Sequence, residues 1–285
     1  SACLVGSEMC IRDRIYTARA HRATENARIR EISQYDFYLQ FQPQVSLRSG
    51  LCTGCEALLR ATGPEGTQQA PMEFLRWLAQ AGLMREVDLW VARQAVLQCL
   101  QWRKRDFVLP MTINVTPGTL TSDDYLEKLI KVLAQAGGQI SVELTEDALV
   151  EDAQALHIAF DRLHAIGARV YIDDFGTGYS ALSYLHQFQI DAVKIDRSFV
   201  IAQGSDRGAL VMSGLLRFCE ALNLQIIVEG VETDQQLMAL DSPAEIIVQG
   251  WYYSKALSGD KLVDFARRRQ AVPPMPAQPY TSAPI

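Results

Sequence analysis

The chain has 285 residues, of which 48% are hydrophobic, enough for a sizeable core in one large domain or two small ones. A net charge of −6 at pH 7 excludes a global positive field that would attract a nucleic-acid polymer. No apolar run approaches the roughly 20 residues of a membrane-spanning helix, and six cysteines in this length favour a reduced, cytoplasmic protein.

The two ends of the chain differ in composition from its centre. Residues 1–14 match nothing downstream and are predicted to be a non-native or disordered leader, whereas residues 15–35 are charged and helix-compatible, as in a linker helix. The last fifteen residues hold five of the eleven prolines and no charge. Such a composition does not pack a core, so residues 269–285 are predicted to form a disordered tail.

Between the ends, strand and helix patterns alternate. Eight short runs rich in Val, Ile and Leu are typical of buried strands: 37–46, 51–59, 109–115, 140–144, 168–173, 190–195, 224–229 and 245–249. Helical patterns fill most gaps, which predicts an α/β fold with a (β/α)8 barrel over residues 36–268; a doubly wound open sheet is the alternative. The turn around Arg48–Gly50 is long enough only for a hairpin, so the first strand is predicted to be antiparallel.

Acidic residues recur along these strands, mostly at their ends. They are Glu56 in the second strand, then Glu143 with Glu146, Asp173 with Asp174, Asp196 after Lys194, and Glu229 with Glu232. Asn114 and Gln249 close two further strands. Since the carboxyl ends of barrel strands meet at one mouth, these side chains are expected to lie together. Burying so many carboxylates without a cation is costly, so the pattern predicts bound divalent metal.

Adjacent acids need a special local conformation to share such a site. Within a regular strand Asp173 and Asp174 would point to opposite faces. They converge only where the strand breaks into a loop, and Gly176 and Gly178 supply that break. One of the two carboxylates is then able to bridge two ions while its neighbour serves one.

The ligand type indicates the metal and the chemistry. Hard oxygen ligands suit Mg²⁺ or Mn²⁺, and two such ions about 4 Å apart clamp the attacking and leaving oxygens of a phosphoryl displacement. Lys194 beside such a centre is suited to hold a water in line, and Arg60, at the predicted end of its strand, to bind a phosphate oxygen. Each residue alone has an ordinary explanation as a helix cap, a turn or a solvated side chain. Their joint occurrence favours the metal site.

The motifs are specific enough to resemble a known family. They are FQP at Phe41–Pro43, EALLR at Glu56–Arg60, INVT around Asn114, ELTE at Glu143–Glu146, DDFGTGYS at Asp173–Ser180, KIDRSFV at Lys194–Val200, EGVET at Glu229–Thr233 and QG at Gln249–Gly250. In this order and spacing, over roughly residues 35–268, the chain resembles the EAL domain, the cyclic di-GMP phosphodiesterase of bacterial signalling. Departures such as Ala61-Thr62 after Arg60 and Ala256 after Lys255 remove no ligand.

The resemblance implies a role for each matching residue. The ligands of the first metal ion would be Glu56, Asn114, Glu143 and Asp173, and those of the second Asp173, Asp174 and Glu229. Lys194 would contact the nucleophilic water, and Glu146 would anchor the loop after Asp174. The site would be oriented by Asp196, Glu232 and Gln249, and the substrate contacted by Gln42, Leu58 and Arg60. The implied reaction hydrolyses one phosphodiester of cyclic di-GMP to linear pGpG with two Mg²⁺ or Mn²⁺ ions.

The same resemblance carries expectations about the wider protein. It implies a cytoplasmic bacterial protein, a homodimer formed through the region around 177–184, and an upstream sensory or cyclase domain. The alternative to an enzyme is a catalytically silent EAL receptor that binds cyclic di-GMP and signals by conformation. Silent receptors of this kind usually lack ligands such as Glu56 or the Asp173–Asp174 pair, and this chain retains them.

Overall fold

The computed structural model describes residues 35–63, 65–150, 152–178, 187–240 and 242–270. Within them, eight strands close into a barrel in chain order: β1 (Asp36–Ser46), β2 (Cys52–Thr62), β3 (Met111–Asn114), β4 (Ile140–Thr145), β5 (Val170–Phe175), β6 (Ala192–Ile195), β7 (Gln225–Glu229) and β8 (Ile246–Gln249). Closure of the sheet confirms the predicted (β/α)8 architecture and excludes the doubly wound open sheet.

The first strand runs against the rest of the barrel. β1 pairs antiparallel with both β2 and β8, whereas every other neighbouring pair is parallel. The connection from β1 to β2 is a tight turn in which Gly50 has φ +70° and donates its N–H to the carbonyl of Ser46 at 2.9 Å. Glycine adopts this left-handed conformation without steric cost, so the predicted hairpin forms.

Helices cover the outside of the barrel. They are α1 (Pro71–Gln80), α2 (Met84–Arg103), α3 (Pro117–Leu120), α4 (Asp123–Leu133), α5 (Ala153–Ala165), α6 (Arg197–Ala202), α7 (Asp206–Ala221), α8 (Asp234–Met238) and α9 (Gly259–Gln270). The long helix α2 buries an apolar face against β1, where the Trp102 ring lies 5.2 Å from that of Phe41. With helices on one side and barrel interior on the other, strands such as β6 and β8 are buried along their whole length.

Most strand boundaries differ from the predicted ones by one to three residues, and two differences have a clear physical reason. β2 continues to Thr62, because its last residues pair with the start of β1, so Arg60 lies within the strand opposite Tyr38 and does not end it. Helix α9 continues to Gln270, two residues past the predicted end of the domain, because the Arg269 guanidinium packs on the rings of Tyr253 and Phe265.

Some predictions fall outside the part of the chain that the structure describes. These are the leader, the linker helix up to residue 34, the tail from residue 271 and most of the expected dimer region. Among the described helices, none combines the length and apolarity needed to cross a membrane.

Candidate active site

A cavity of about 450 Å³ opens at the mouth of the barrel, where the carboxyl ends of β2 to β8 meet. Its lining includes eleven of the residues predicted to form the site: Gln42, Glu56, Leu58, Arg60, Asp173, Asp174, Lys194, Asp196, Glu229, Glu232 and Gln249. The other lining residues are Arg197, Gly230, Gly250 and Trp251. Three predicted residues, Asn114, Glu143 and Glu146, lie beside or beneath this lining.

An apolar layer fills the barrel below the mouth. Its members are Tyr171, Ala192, Ile227 and Ile247, which pack together as a small buried cluster. Each precedes a polar residue of the mouth by two positions on its strand, and residues two apart share a face of a strand. The polar groups of the mouth therefore lie directly above an apolar layer, whose low dielectric constant strengthens the electrostatic interactions among them.

Lys194 lies at the centre of the acids. Its Nζ is 2.8 Å from Glu229 Oε1, 2.9 Å from Glu143 Oε2, and 3.1 Å from both Glu56 Oε2 and Asp173 Oδ1. Only 1% of the lysine side chain is exposed. A buried ammonium with four carboxylate neighbours is the cation that holds this cluster together in the structure.

Amide side chains fix the carboxylate of Glu56. Asn114 Nδ2 donates to Glu56 Oε1 at 2.7 Å, and Gln249 Nε2 donates to Glu56 Oε2 at 2.5 Å and to Glu229 Oε1 at 3.2 Å. The Glu56 carboxylate on β2 is therefore held by side chains from two other strands, β3 and β8.

A bulge in β5 brings its two aspartates to the same site. The register with β6 shifts between Ile172 and Phe175, and Asp174 has φ +54°. Carboxylate oxygens of Asp173, Asp174 and Glu229 consequently lie within 4.8 Å of one another. The convergence was predicted to follow from a break into a loop at Gly176, but it occurs one step earlier, because a bulge re-aims a side chain while pairing resumes at Phe175.

Glu146 supports the turn that follows the bulge. Its Oε2 accepts the Gly176 N–H at 2.8 Å. A Cβ on Gly178 would lie 2.5 Å from Glu146 Oε1, so this carboxylate lies directly against the backbone of the turn. Glu146 thus contacts the segment after Asp174, and its anchoring role stays a prediction.

Asp196 and Glu232 lie on the rim, next to helices that begin at the mouth. The side chain of Asp196 accepts the Ser198 N–H at 2.9 Å and caps α6. Glu232 precedes the capping box of Thr233 and Gln236 at the start of α8, and its own N–H is donated to Gln236 Oε1 at 2.8 Å. The Asp196 carboxylate therefore caps a helix, whereas Glu232 contributes only its backbone N–H to such a contact, and both residues line the cavity.

The opposite wall carries the residues predicted to contact substrate. Gln42 Nε2 donates to the carbonyl of Ser254 at 2.6 Å, and Arg60 donates to Gln40 Oε1 at 3.1 Å and to the carbonyl of Leu59 at 2.9 Å. The half-buried Arg60 guanidinium is thereby held at the cavity with donors to spare.

Four lining residues were not predicted as site residues, and two of them have large side chains. Arg197 and Trp251 reach the cavity, and the Trp251 ring is 60% exposed with Lys255 Nζ 4.5 Å from its centre. Arg197 directly follows Asp196 within the KIDRSFV motif, and Trp251 directly follows Gln249–Gly250. Their positions just after a strand end are the signal that would have predicted them.

Burial and mutual charge shift the pKa values at the mouth. Burial opposes ionisation of Glu56, but the Lys194 ammonium and the amides of Gln249 and Asn114 outweigh it and hold its pKa below the ordinary value. Burial and then the Glu56 charge raise the pKa of Glu143 well above its usual range. Burial likewise raises the pKa of Glu229 to about 7, against the opposing effect of Lys194. Burial opposes the charge of Lys194 too, but the surrounding carboxylates raise its pKa well above normal.

These residues fit a pair of divalent cations. Five carboxylates and one ammonium leave four negative charges if all are ionised, which two divalent ions would balance. Glu143 Oε1 is buried without a hydrogen-bond partner among the described residues, as a lone pair kept for an ion would be. The atoms available to coordinate an ion are carboxylate and amide oxygens, which are the ligands that Mg²⁺ and Mn²⁺ prefer.

Comparison with known proteins identifies relatives of this site. The EAL domain profile matches residues 25–256. Cyclic di-GMP phosphodiesterase PA2567 of Pseudomonas aeruginosa is 32% identical over 236 residues, which cover 81% of this chain and 40% of that protein. Cyclic di-GMP phosphodiesterase PdeR of Escherichia coli is 33% identical over 224 residues, 77% of this chain and 34% of that protein. The chain thus spans less than half the length of these curated relatives.

Solved structures show the same architecture. The EAL enzyme Bd1971 in its cAMP-bound form has a TM-score of 0.76 and 29% identity, covering 85% of this chain and 69% of that one. The PaMucR phosphodiesterase in complex with c-di-GMP has a TM-score of 0.73 and 29% identity, covering 79% of this chain and 94% of that one.

Proposed function

This chain belongs to the EAL domain family, and from that premise we propose that it hydrolyses one phosphodiester bond of cyclic di-GMP to give linear pGpG. The observation that carries the proposal is the convergence of five carboxylates, one lysine and two amides at the mouth of the barrel. Relatives named cyclic di-GMP phosphodiesterases, and a related structure with c-di-GMP bound, support the substrate.

The proposed ligands divide between two Mg²⁺ or Mn²⁺ ions. Glu56, Asn114, Glu143 and Asp173 would hold one ion, and Asp173, Asp174 and Glu229 the other. When bound, such ions polarise phosphoryl oxygens and lower the pKa of water. The tight cluster of Asp173, Asp174 and Glu229 supports the second set, and the unpartnered Glu143 Oε1 supports the first.

Protein side chains would orient and stabilise the reacting groups. Lys194, buried and fully charged, would hold the attacking water in line and stabilise negative charge on the phosphoryl oxygens. Arg60 would bind a phosphate oxygen with the donors that its bonds to Gln40 and Leu59 leave free. Gln42 and Leu58 would contact the remainder of the substrate along the same wall.

The remaining site residues would keep this arrangement in place. Glu146 would hold the turn after the aspartate pair, and Gln249 would hold two carboxylates through one amide. Asp196 and Glu232 would fix the rim by their contacts at the starts of α6 and α8. Fixed ligands and donors lower the cost of reorganisation when the reaction proceeds.

From the family we also propose a cytoplasmic homodimer joined to an upstream sensory or cyclase domain. The four cysteines in the described part of the chain are free and buried, which fits a reducing compartment. The greater length of the curated relatives supports additional domains.

The deciding experiment follows pGpG release from cyclic di-GMP with Mg²⁺ or Mn²⁺, with EDTA, and with the isosteric variant Glu56→Gln. We expect turnover that depends on the metal. It should fall at least about 100-fold in the variant, because the loss of a metal-binding carboxylate lowers both metal affinity and rate. Tight cyclic di-GMP binding without turnover in the parent would identify a receptor instead. Metal-independent turnover, or a fully active Glu56→Gln variant, would contradict the assigned ligands.

A further inference from the structure

Gln44 is a buried residue next to the site, and it has no part in the proposed reaction. It lies on β1, is only 4% exposed and does not line the cavity. Val45 pairs with Val248 in the antiparallel ladder between β1 and β8, which places Gln44 directly across from Gln249. Its Nε2 donates to Gln249 Oε1 at 2.9 Å.

The hydrogen bonds around Gln249 define which way its amide faces. Glu56 and Glu229 are carboxylates, which accept hydrogen bonds when ionised, so the Nε2 of Gln249 must face them. Its Oε1 then faces away from the acids into a buried region, where an acceptor without a donor is costly. Gln44 supplies that donor.

The backbone near Gln44 provides the room for this contact. The β1–β2 register shifts between Gln44 and Val45, and a bulge of this kind redirects side chains. Gly54 lies opposite Gln44 in β2, and a Cβ there would come within 2.7 Å of Gln44 Oε1. The side chain of Gln44 therefore passes over a glycine to reach Gln249.

We propose that Gln44 is a positioning residue, which fixes the Gln249 amide so that it donates to Glu56 and Glu229. Without this donor the Gln249 amide is free to rotate and to present its carbonyl oxygen to two carboxylates. Both carboxylates belong to the metal ligands proposed above, so the inference rests on the proposed function only through the divalent cation.

The test compares Gln44→Met, which keeps the length but removes the donor, with Gln44→Glu, which replaces the donor by an acceptor. Mn²⁺ affinity is measured without substrate by isothermal titration or by the EPR signal of free Mn²⁺. We expect affinity to fall about 10-fold for Gln44→Met, as for other residues that orient metal ligands, and further for Gln44→Glu. Saturating Mn²⁺ should restore most of the kcat of Gln44→Met.

A matched control separates positioning from general stability. Gln139→Met also removes a buried amide. Gln139 directly precedes β4, at the end of the barrel away from the mouth, where it accepts from Arg103 and donates to the carbonyl of Leu109. We expect a similar loss of Tm with unchanged Mn²⁺ affinity. If Gln44→Met lowered Tm as much as the control and bound Mn²⁺ like the parent, Gln44 would be merely structural and the proposal overturned.

A double-mutant cycle tests whether Gln44 acts through Gln249. Adding Gln44→Met to Gln249→Met should change Mn²⁺ affinity little, because the group that Gln44 orients is already absent. Fully additive losses would contradict the proposal. A parent that bound Mn²⁺ but released no pGpG would defeat the proposed function, and the affinity comparison would still decide the role of Gln44.

Discussion

At the scale of single residues, Lys194 supplies the positive charge at the centre of the carboxylate cluster. Its ammonium contacts four carboxylates, from β2, β4, β5 and β7, and no other lysine of the described residues does so. Removing one partner of a buried ion pair leaves uncompensated charge, which is more damaging than the loss of an exposed pair. The residue therefore contributes to both stability and the proposed reaction.

We predict that Lys194→Met lowers kcat at least about 100-fold while cyclic di-GMP affinity changes much less, because the ammonium acts on charge that develops during reaction. Without metal the variant should also lose about 3 kcal/mol of stability, since four carboxylates lose their counter-charge. Steady-state kinetics and thermal unfolding in EDTA measure the two effects. Lys128→Met, which removes an exposed pair with Asp124, should change neither. A larger effect on affinity than on kcat would show that Lys194 only binds phosphate.

Asp88 is a buried acid outside the candidate site. Its Oδ2 accepts three hydrogen bonds, from Thr116 N at 2.9 Å and from the hydroxyls of Thr116 and Thr119 at 2.6 Å each. It thus connects α2 to the segment that follows Asn114. Burial nevertheless raises its pKa to about 6, against these hydrogen bonds.

A raised carboxyl pKa means that the folded protein binds this proton more tightly than the unfolded chain, so stability from Asp88 falls as pH rises from about 4 to about 6. We predict that the parent's free energy of unfolding, relative to that of Asp88→Asn, declines by about 3 kcal/mol across this window and is constant above it. Urea unfolding at several pH values measures the difference. Asp161→Asn, at an exposed position of α5, is the matched control for the substitution itself. A flat difference for Asp88→Asn would disprove the assignment.

At the scale of elements, the site depends on how strands end. β5 contains a bulge that turns Asp174 toward Asp173, and Gly230, directly after β7, has φ +69°. A Cβ on Gly230 would overlap the Cβ of Arg197 at the start of α6. These local conformations bring side chains of adjacent elements into one cavity.

We predict that Gly230→Ala destabilises the chain by more than 1 kcal/mol and lowers turnover, because it adds strain at a positive φ and displaces Arg197 beside Glu229. Gly214→Ala is the matched control: it lies within α7 with open space around it and should stabilise by up to about 1 kcal/mol. Thermal unfolding and initial rates of both variants decide the point. Equal stability of the two variants would show that the backbone at Gly230 tolerates a side chain.

At the scale of the whole molecule, one hydrophobic core joins residues of all eight strands with the surrounding helices. β1 closes the barrel through its pairs with β8, so no strand of the described barrel is left with a free edge. The proposed metal ligands lie on β2, β3, β4, β5 and β7, so an ion bound to them would stabilise the entire barrel.

We predict that Mn²⁺ at 100 times its dissociation constant stabilises the chain by about 2.7 kcal/mol, which corresponds to a rise in Tm of roughly 5 to 10 °C. Differential scanning fluorimetry with Mn²⁺ and with EDTA measures the shift. Glu143→Gln removes one negative charge from the proposed ligands, so the rise in Tm at the same Mn²⁺ concentration should be smaller. An unchanged Tm in saturating Mn²⁺ would rule out the metal centre in the folded chain.

The sequence by itself determined the barrel, the antiparallel first strand and most of the site. Alternating short apolar runs and helices specify the fold because both periodicities are local, and the hairpin follows from a turn too short for a crossover. The acids at strand ends were found without a structure, because the carboxyl ends of parallel barrel strands always meet.

Only the tertiary structure decided how these groups contact one another. The bulge in β5 depends on pairing with β6, and the contact between Gln44 and Gln249 exists because β1 and β8, some 200 residues apart in sequence, lie side by side. Arg197 begins α6 and Trp251 lies in the turn after β8, and packing sets the directions in which these segments leave the barrel. Sequence patterns report which face of an element is buried, whereas hydrogen bonds between distant elements depend on register, which only the closed barrel fixes.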